Sequence, residues 1–175
     1  MENQSTIPTE IFLESWDRQC KILLNLASQV TTEALRSAKS SDKGMSIVEH
    51  LCHIHECRYG WLGKVSPKHQ AQVGDVLQKS GENWLPITDF EEIKHQLSVS
   101  AQAIRDAVAE AIQDGKTRIP PYDHPVFFLQ HMLWHEGYHF SLIRLALCKR
   151  GAEPSDAWEE KNVWALWRDE EIWEE

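Results

Sequence analysis

The residues best equipped for chemistry in this chain are its histidines. There are nine in 175 residues. Seven of them fall in two short stretches: His50, His53 and His55, then His124, His131, His135 and His139. A neutral imidazole offers a nitrogen lone pair to a divalent ion and can move a proton near neutral pH. His131, His135 and His139 recur every fourth residue, so on a helix they span only about 80° of circumference. Phe128, Leu142 and Ala146 continue that stripe, which predicts that the three rings face inward. Buried imidazoles need partners, because an unsatisfied polar group is costly away from water. One ion satisfies several at once, and histidines one turn apart can share a tetrahedral or octahedral metal. Core histidines bonded separately would be the simpler account for one ring; three in register favour a metal.

A pair on one helix leaves the ion short of ligands, and in bundles a neighbouring helix supplies the next. The stretch with His50, His53 and His55 is the natural source. On a helical wheel Val48, Leu51, Cys52, Tyr59 and Leu62 surround His55, whereas His53 lies beside Glu49 and Glu56, with His50 between them. Spacing alone leaves all three open.

Residues 135–139 read HEGYH, which also fits H-E-x-x-H, the helical zinc motif in which glutamate is general base. That reading needs strands to hold an extended peptide, and the sequence offers none. Glu136 is about 100° around the helix from His135, which suits an interhelical hydrogen bond better than catalysis. Cys52 and Cys57 could add soft ligands, although core packing is the simpler role. Trp61, Trp134 and Tyr138 could line the mouth of a pocket, although aromatics at helical spacing more often pack in the core.

These residues require helices to hold them. Thr9 can cap a first helix carrying Phe12, Trp16, Cys20, Leu23, Ala27 and Val30 on one face. Ser37 to Gly44 reads as a connector. Ser46 three residues before Glu49 is a capping box opening a second helix to about Leu62. Gly63 to Thr88, broken by Pro67, Gly74, Gly81 and Pro86, is a long connector in which Gln70 to Lys79 could form a helical turn. Asp89 can cap a third helix with a stripe of Phe90, Ile93, Leu97, Ile104, Val108 and Ala111, ended by Asp114-Gly115. A fourth helix from about Asp123 to Arg150 is apolar nearly all round, which predicts the most buried of the four. Four such helices on one core suggest an all-α, four-helix bundle with a crossover between helices two and three.

The chain length suits one domain, residues 1–151, followed by a distinct tail, residues 152–175. The composition, 42% hydrophobic and 26% charged, excludes collagen-like, disordered and membrane-spanning classes. A net charge of −9 argues against nucleic acid, since phosphate needs a basic footprint. An acidic start without an apolar core is unlike a signal peptide, and four scattered cysteines are unlike a secreted disulfide scaffold. The expectation is a cytoplasmic protein.

Two segments resemble the DinB-like family, also called YfiT-like metalloenzymes. SIVEHLCHIHECRYGWL, Ser46 to Leu62, is similar to the family's second-helix motif, with a small polar and an apolar residue seven and six places before a histidine. That register aligns Ser46 and Ile47 with His53. HMLWHEGYHFSLI, His131 to Ile143, is similar to the fourth-helix pattern H-x-x-x-H-E-x-H-H-R-G-Q-I. Tyr138 replaces a second histidine and Phe140-Ser141-Leu142 replace R-G-Q, so any role of the missing arginine and glutamine is absent here. The resemblance implies a bundle with a crossover and a three-histidine site of His53, His135 and His139 for zinc, nickel or a similar ion. His131 and His50 would stand behind it. It implies a hydrolase or a thiol S-transferase acting on a small molecule such as a low-molecular-weight thiol. Three neutral ligands leave the ion its full charge, which lowers the pKa of a bound water or thiol toward neutrality.

The last 23 residues hold nine acidic and two basic residues and four tryptophans, Trp158, Trp164, Trp167 and Trp173. They account for most of the negative charge. The tail is expected to pack on the bundle, cover the site as a lid or form a homodimer contact; its charge disfavours a membrane. Two further readings stand beside the metalloenzyme: a non-catalytic bundle with structural histidines acting as an interaction protein, and the zinc metalloprotease.

Overall fold

The computed structural model describes residues 9–168. Four long helices carry the molecule: α1 (Thr9–Ala27), α3 (Ile47–Val65), α5 (Phe90–Gln113) and α6 (Pro125–Lys149). Short elements join them: α2 (Glu33–Arg36), α4 (Pro67–Gln70), an antiparallel hairpin of β1 (Leu77–Ser80) and β2 (Asn83–Pro86), then α7 (Asp156–Glu159) and a π-helical turn, Glu160–Trp164. α1 packs on α5 and α6, α3 packs on the same two, and α5 touches α6. The all-α class expected from the sequence is the class observed. Among the described residues no helix is long and apolar enough to cross a membrane.

The helix ends follow local chemistry. Ser46 and Glu49 form the reciprocal capping box, with the Ser46 backbone N–H donating to Glu49 at 2.6 Å and Glu49 N–H donating to the Ser46 hydroxyl. Such a cap stabilises a helix by about 1 kcal/mol, and it fixes where α3 begins. α3 runs past Leu62 and through Gly63 to Val65, stopping only where Pro67 forces Ser66 out of helical geometry (φ −157°). Asp89 caps α5 through the N–H groups of Glu91 and Glu92. Gly115, at φ +69°, turns the chain away after it. His124, without a role from sequence alone, caps α6 by accepting the N–H of Val126 at 3.2 Å.

The connector between α3 and α5 differs from expectation. The helical turn lies earlier, at α4, and residues 77–86 form the hairpin around Gly81 (φ +62°). Both strands are largely exposed, so they lack the apolar alternation that announces a half-buried strand. His55 ties this connector down. Its ring is fully buried, with Nε2 2.9 Å from the Gly74 carbonyl and Nδ1 3.2 Å from the Gln96 carbonyl.

The core is filled along the predicted stripes. Trp16, Leu23, Ile47, Leu51, Ile93, Leu97, Ile104, Phe128 and Ile143 are all buried, and the Trp16 indole donates to the Ala101 carbonyl at 2.9 Å. α6 departs from its expected full burial. One face packs inward through Phe128, Met132, Ile143 and Ala146, while Phe127, Trp134, Tyr138 and Leu145 stand in solvent. An all-round apolar helix has two faces that could pack, and this fold covers one. The described part of the tail lies on its own bundle: Asn25 donates to the Asn162 carbonyl at 3.0 Å, Val163 is buried, and Arg144 bonds Glu153 and Glu159. Trp158 packs against the core, Trp164 and Trp167 are exposed, and Trp173 lies outside the described residues.

Candidate metal centre

α3 and α6 lie side by side, and their facing residues build the site. The cap at Ser46 sets the rotational phase of α3, which places His50 and His53 in its first two turns toward α6. This gives the motif around Ser46 and Ile47 a physical meaning: one residue starts the helix and the other, fully buried, anchors it.

His53, His135 and His139 are brought together with ligating atoms all within 4.8 Å of one another. The Nε2 atoms of His135 and His53 are 3.3 Å apart, and those of His139 and His135 are 3.1 Å apart. Bonds of 2.0–2.1 Å from nitrogen to a zinc-like ion require separations of about 2.9 Å at octahedral and about 3.3 Å at tetrahedral angles. The spacing fits an ion. It fits a hydrogen-bonded trio less well, because His135 Nε2 faces two other Nε2 atoms and carries at most one proton.

The fourth histidine of the cluster sits behind the third. His50 Nδ1 is 2.9 Å from His139 Nδ1, and His50 is buried. For His139 to turn its Nε2 lone pair toward an ion, its proton must sit on Nδ1 and be donated to His50. Such an outer partner fixes the tautomer and orientation of a ligating ring. Burial and like neighbours favour the neutral form of His139, His135 and His50. Burial, reinforced by His135, His53 and His50, depresses His139 to about 3. Burial and the neighbouring His53 and His131 lower His135, and burial with His53 lowers His50.

Other candidates fall into place around the triad. His131 is half-buried, its Nδ1 2.8 Å from the Tyr122 hydroxyl and its ring against Trp61 at 5.3 Å. It stands beside the converging atoms without joining them. Tyr138 lies edge-on to His139 at 5.2 Å and is largely exposed, as is Trp134. Cys57 approaches His53 Nε2 at 3.5 Å, one turn further along α3, and its thiol is held protonated by burial and by Glu56 and Glu136. Cys52 is buried and directs its thiol to the Val76 carbonyl, the packing role expected of it.

Glu136 points away from the histidines into the bundle. Its carboxylate is fully buried and accepts both Arg58 Nε at 2.7 Å and Arg58 Nη2 at 2.8 Å. Arg58 also donates to the Leu97 carbonyl at 2.6 Å and to Ser100. Both carboxylate oxygens are engaged with one guanidinium in an interhelical ion pair, which takes Glu136 away from the general-base role that the H-E-x-x-H motif gives its glutamate. Sequence reading passed over Arg58 and Tyr122. Arg58 had a signal: it is the one arginine on the buried face that Leu51, Ile54, His55 and Leu62 define on α3.

The sequence profile described as the DinB superfamily matches residues 15–143. No curated protein and no solved structure gives a significant match.

Proposed function

This chain belongs to the DinB superfamily, and from that premise we propose a metal-dependent enzyme of hydrolase or thiol S-transferase type. His53, His135 and His139 would hold the ion. The observation that carries the reading is the convergence of three Nε2 atoms from two helices at 3.1 and 3.3 Å. An all-imidazole donor set suits zinc or nickel over magnesium or calcium, which take oxygen. Bound there, such an ion supplies a Lewis acid that lowers the pKa of water or a thiol.

The chain's own groups serve that purpose in distinct ways. His50 orients His139, and the Tyr122–His131–Trp61 contact forms one wall. Trp134 and Tyr138 stand at the rim and offer apolar surface to a small-molecule substrate, a low-molecular-weight thiol in the thiol-transferase version. The peptidase version lacks support, since Glu136 is engaged by Arg58. A non-catalytic interaction protein draws on the exposed aromatic face of α6.

The test is metal titration of tag-free protein, dialysed against zinc and then nickel, with elemental analysis and calorimetry. About one tightly held equivalent is expected. Alanine at His135 or His139 should abolish it, and alanine at the exposed His95 should leave it unchanged. A residual small fraction of an equivalent after reloading would overturn the proposal. A tightly held ion without chelator-sensitive turnover of thiol or ester substrates would favour the interaction protein.

A further inference from the structure

The outer face of α6 borders the metal centre only at the rim, where Tyr138 lies against His139; most of its length lies beyond the site. From Phe127 the exposed positions run through Gln130, Trp134, Gly137, Tyr138, Ser141 and Leu145 to Cys148. They cover about 32 Å of helix without a charged residue, in a chain whose net charge is −9. Phe127 is 57% exposed, Trp134 80%, Tyr138 60% and Leu145 46%. Single exposed apolar residues are ordinary, but a contiguous patch of this kind marks an interaction surface. Trp164, 53% exposed, extends it, and with Ser141, Leu145 and Cys148 it lines a depression of about 340 Å³ that the ion-paired Arg144, Glu153 and Glu159 also line.

The order of side chains along this face suits its own inverse. A two-fold axis crossing the helix between Gly137 and Tyr138 sets Trp134 of one copy level with Ser141 of the other. Phe127 then comes level with Cys148, at the edge of the depression. The two Tyr138 rings meet at the axis, and the two Gly137 residues let the backbones approach. A Cβ at Gly137 would meet nothing within 4 Å in its own chain, so packing within the chain gives no reason for a helix-weakening glycine there.

We propose that α6 is the interface of an antiparallel, two-fold homodimer. A two-fold interface places one patch against itself, so each bulky residue must find room on the same surface. Only a second copy is certain to present the required inverse order. The exposed apolar side chains amount to on the order of 600 Å² per protomer, close to the roughly 800 Å² per partner of specific interfaces. The exposed positions from Phe127 to Leu145 carry no charge, and the neighbouring Arg144 is paired with Glu153 and Glu159, so no like charges are set against each other at the centre of contact.

The experiment is sedimentation velocity on the full chain, diluted from micromolar to nanomolar. A species of twice 20.3 kDa is expected. Trp134→Glu and Leu145→Glu should each weaken association by about 100-fold or more with the helical content by circular dichroism unchanged, because both side chains lie outside the core. Ser141→Trp should also dissociate the dimer, by clashing with Trp134 of the other copy. Adding Trp134→Ser should restore it by exchanging the large and small positions. Gly137→Cys should cross-link under mild oxidation, whereas native Cys148 should not, being about 30 Å from its counterpart. A wild type that is monomeric throughout, or a dimer that survives Trp134→Glu, overturns the proposal. So does a Cys148–Cys148 link, which requires parallel helices, or a dimer lost only on removal of the residues after Gly151.

Discussion

Two polar clusters join α3 to α6, and they are built on opposite principles. In one, Arg58 and Glu136 meet as unlike charges, bonded through two parallel contacts and supported by Leu97 and Ser100. In the other, His53, His135 and His139 turn like groups toward one another. The first is complete within the chain. The second brings three imidazole nitrogens within 4.8 Å of one another, a group that could hold a metal ion. Their exposure differs as well: Arg58 and Glu136 are fully buried, whereas His53 and His135 are half-buried and only His139 is enclosed. The ion pair thus fixes how the helices sit, and the histidines face an accessible space on that fixed geometry.

The largest expected effect comes from breaking the complete cluster. Glu136→Gln leaves a buried guanidinium without its counter-charge and should cost about 3–5 kcal/mol of unfolding free energy, measured by urea denaturation. Metal stoichiometry of the folded fraction should be kept. Loss of the ion with no loss of stability would reverse the roles assigned to the clusters.

Acid should separate the two next. A histidine whose folded pKa is depressed binds fewer protons folded than unfolded. Its burial therefore costs nothing above the ordinary value near 6.5 and lowers stability as pH falls from there toward about 3. For His139 alone, at about 3, the loss at pH 5 is about 2 kcal/mol relative to pH 7. His135 and His50 shift in the same direction. Thermal unfolding of the chelated protein across this range checks it, and His139→Ala should flatten the profile. An equally steep profile in that variant would place the proton uptake elsewhere.

The smallest effect tests the outer edge of the open cluster. His50→Ala removes the partner of His139 Nδ1 and should weaken metal affinity by about tenfold without abolishing binding, as read by competition with a coloured chelator. An unchanged affinity would make His50 a packing residue.

What could be read from the sequence was mostly local. The capping box at Ser46, the Asp89 cap and the stop at Gly115 depend on neighbours a few residues away, and each stands where its chemistry placed it. Spacing left His50, His53 and His55 open; the family register selected His53, and the structure separates them by partner. His53 faces His135, His50 backs His139, and His55 holds the loop at Gly74. Arg58 stayed hidden because its counter-charge is 78 positions away, beyond any periodicity. α6 misled for a related reason. A hydrophobic pattern tells which residues avoid water, not which neighbour covers them, so two apolar faces look the same until one is packed.

The spacing of the three imidazoles also bears on competition among ions in a mixed solution. Magnesium and calcium prefer oxygen donors, and calcium sits at 2.3–2.6 Å from them; a compact all-nitrogen cradle gives them no carboxylate to bind. With Glu136 turned inward to Arg58, the nearest acidic residue on α6 is withheld from the cradle as well. An abundant hard cation would then leave these rings free, and a scarce borderline one could claim them without displacing a rival.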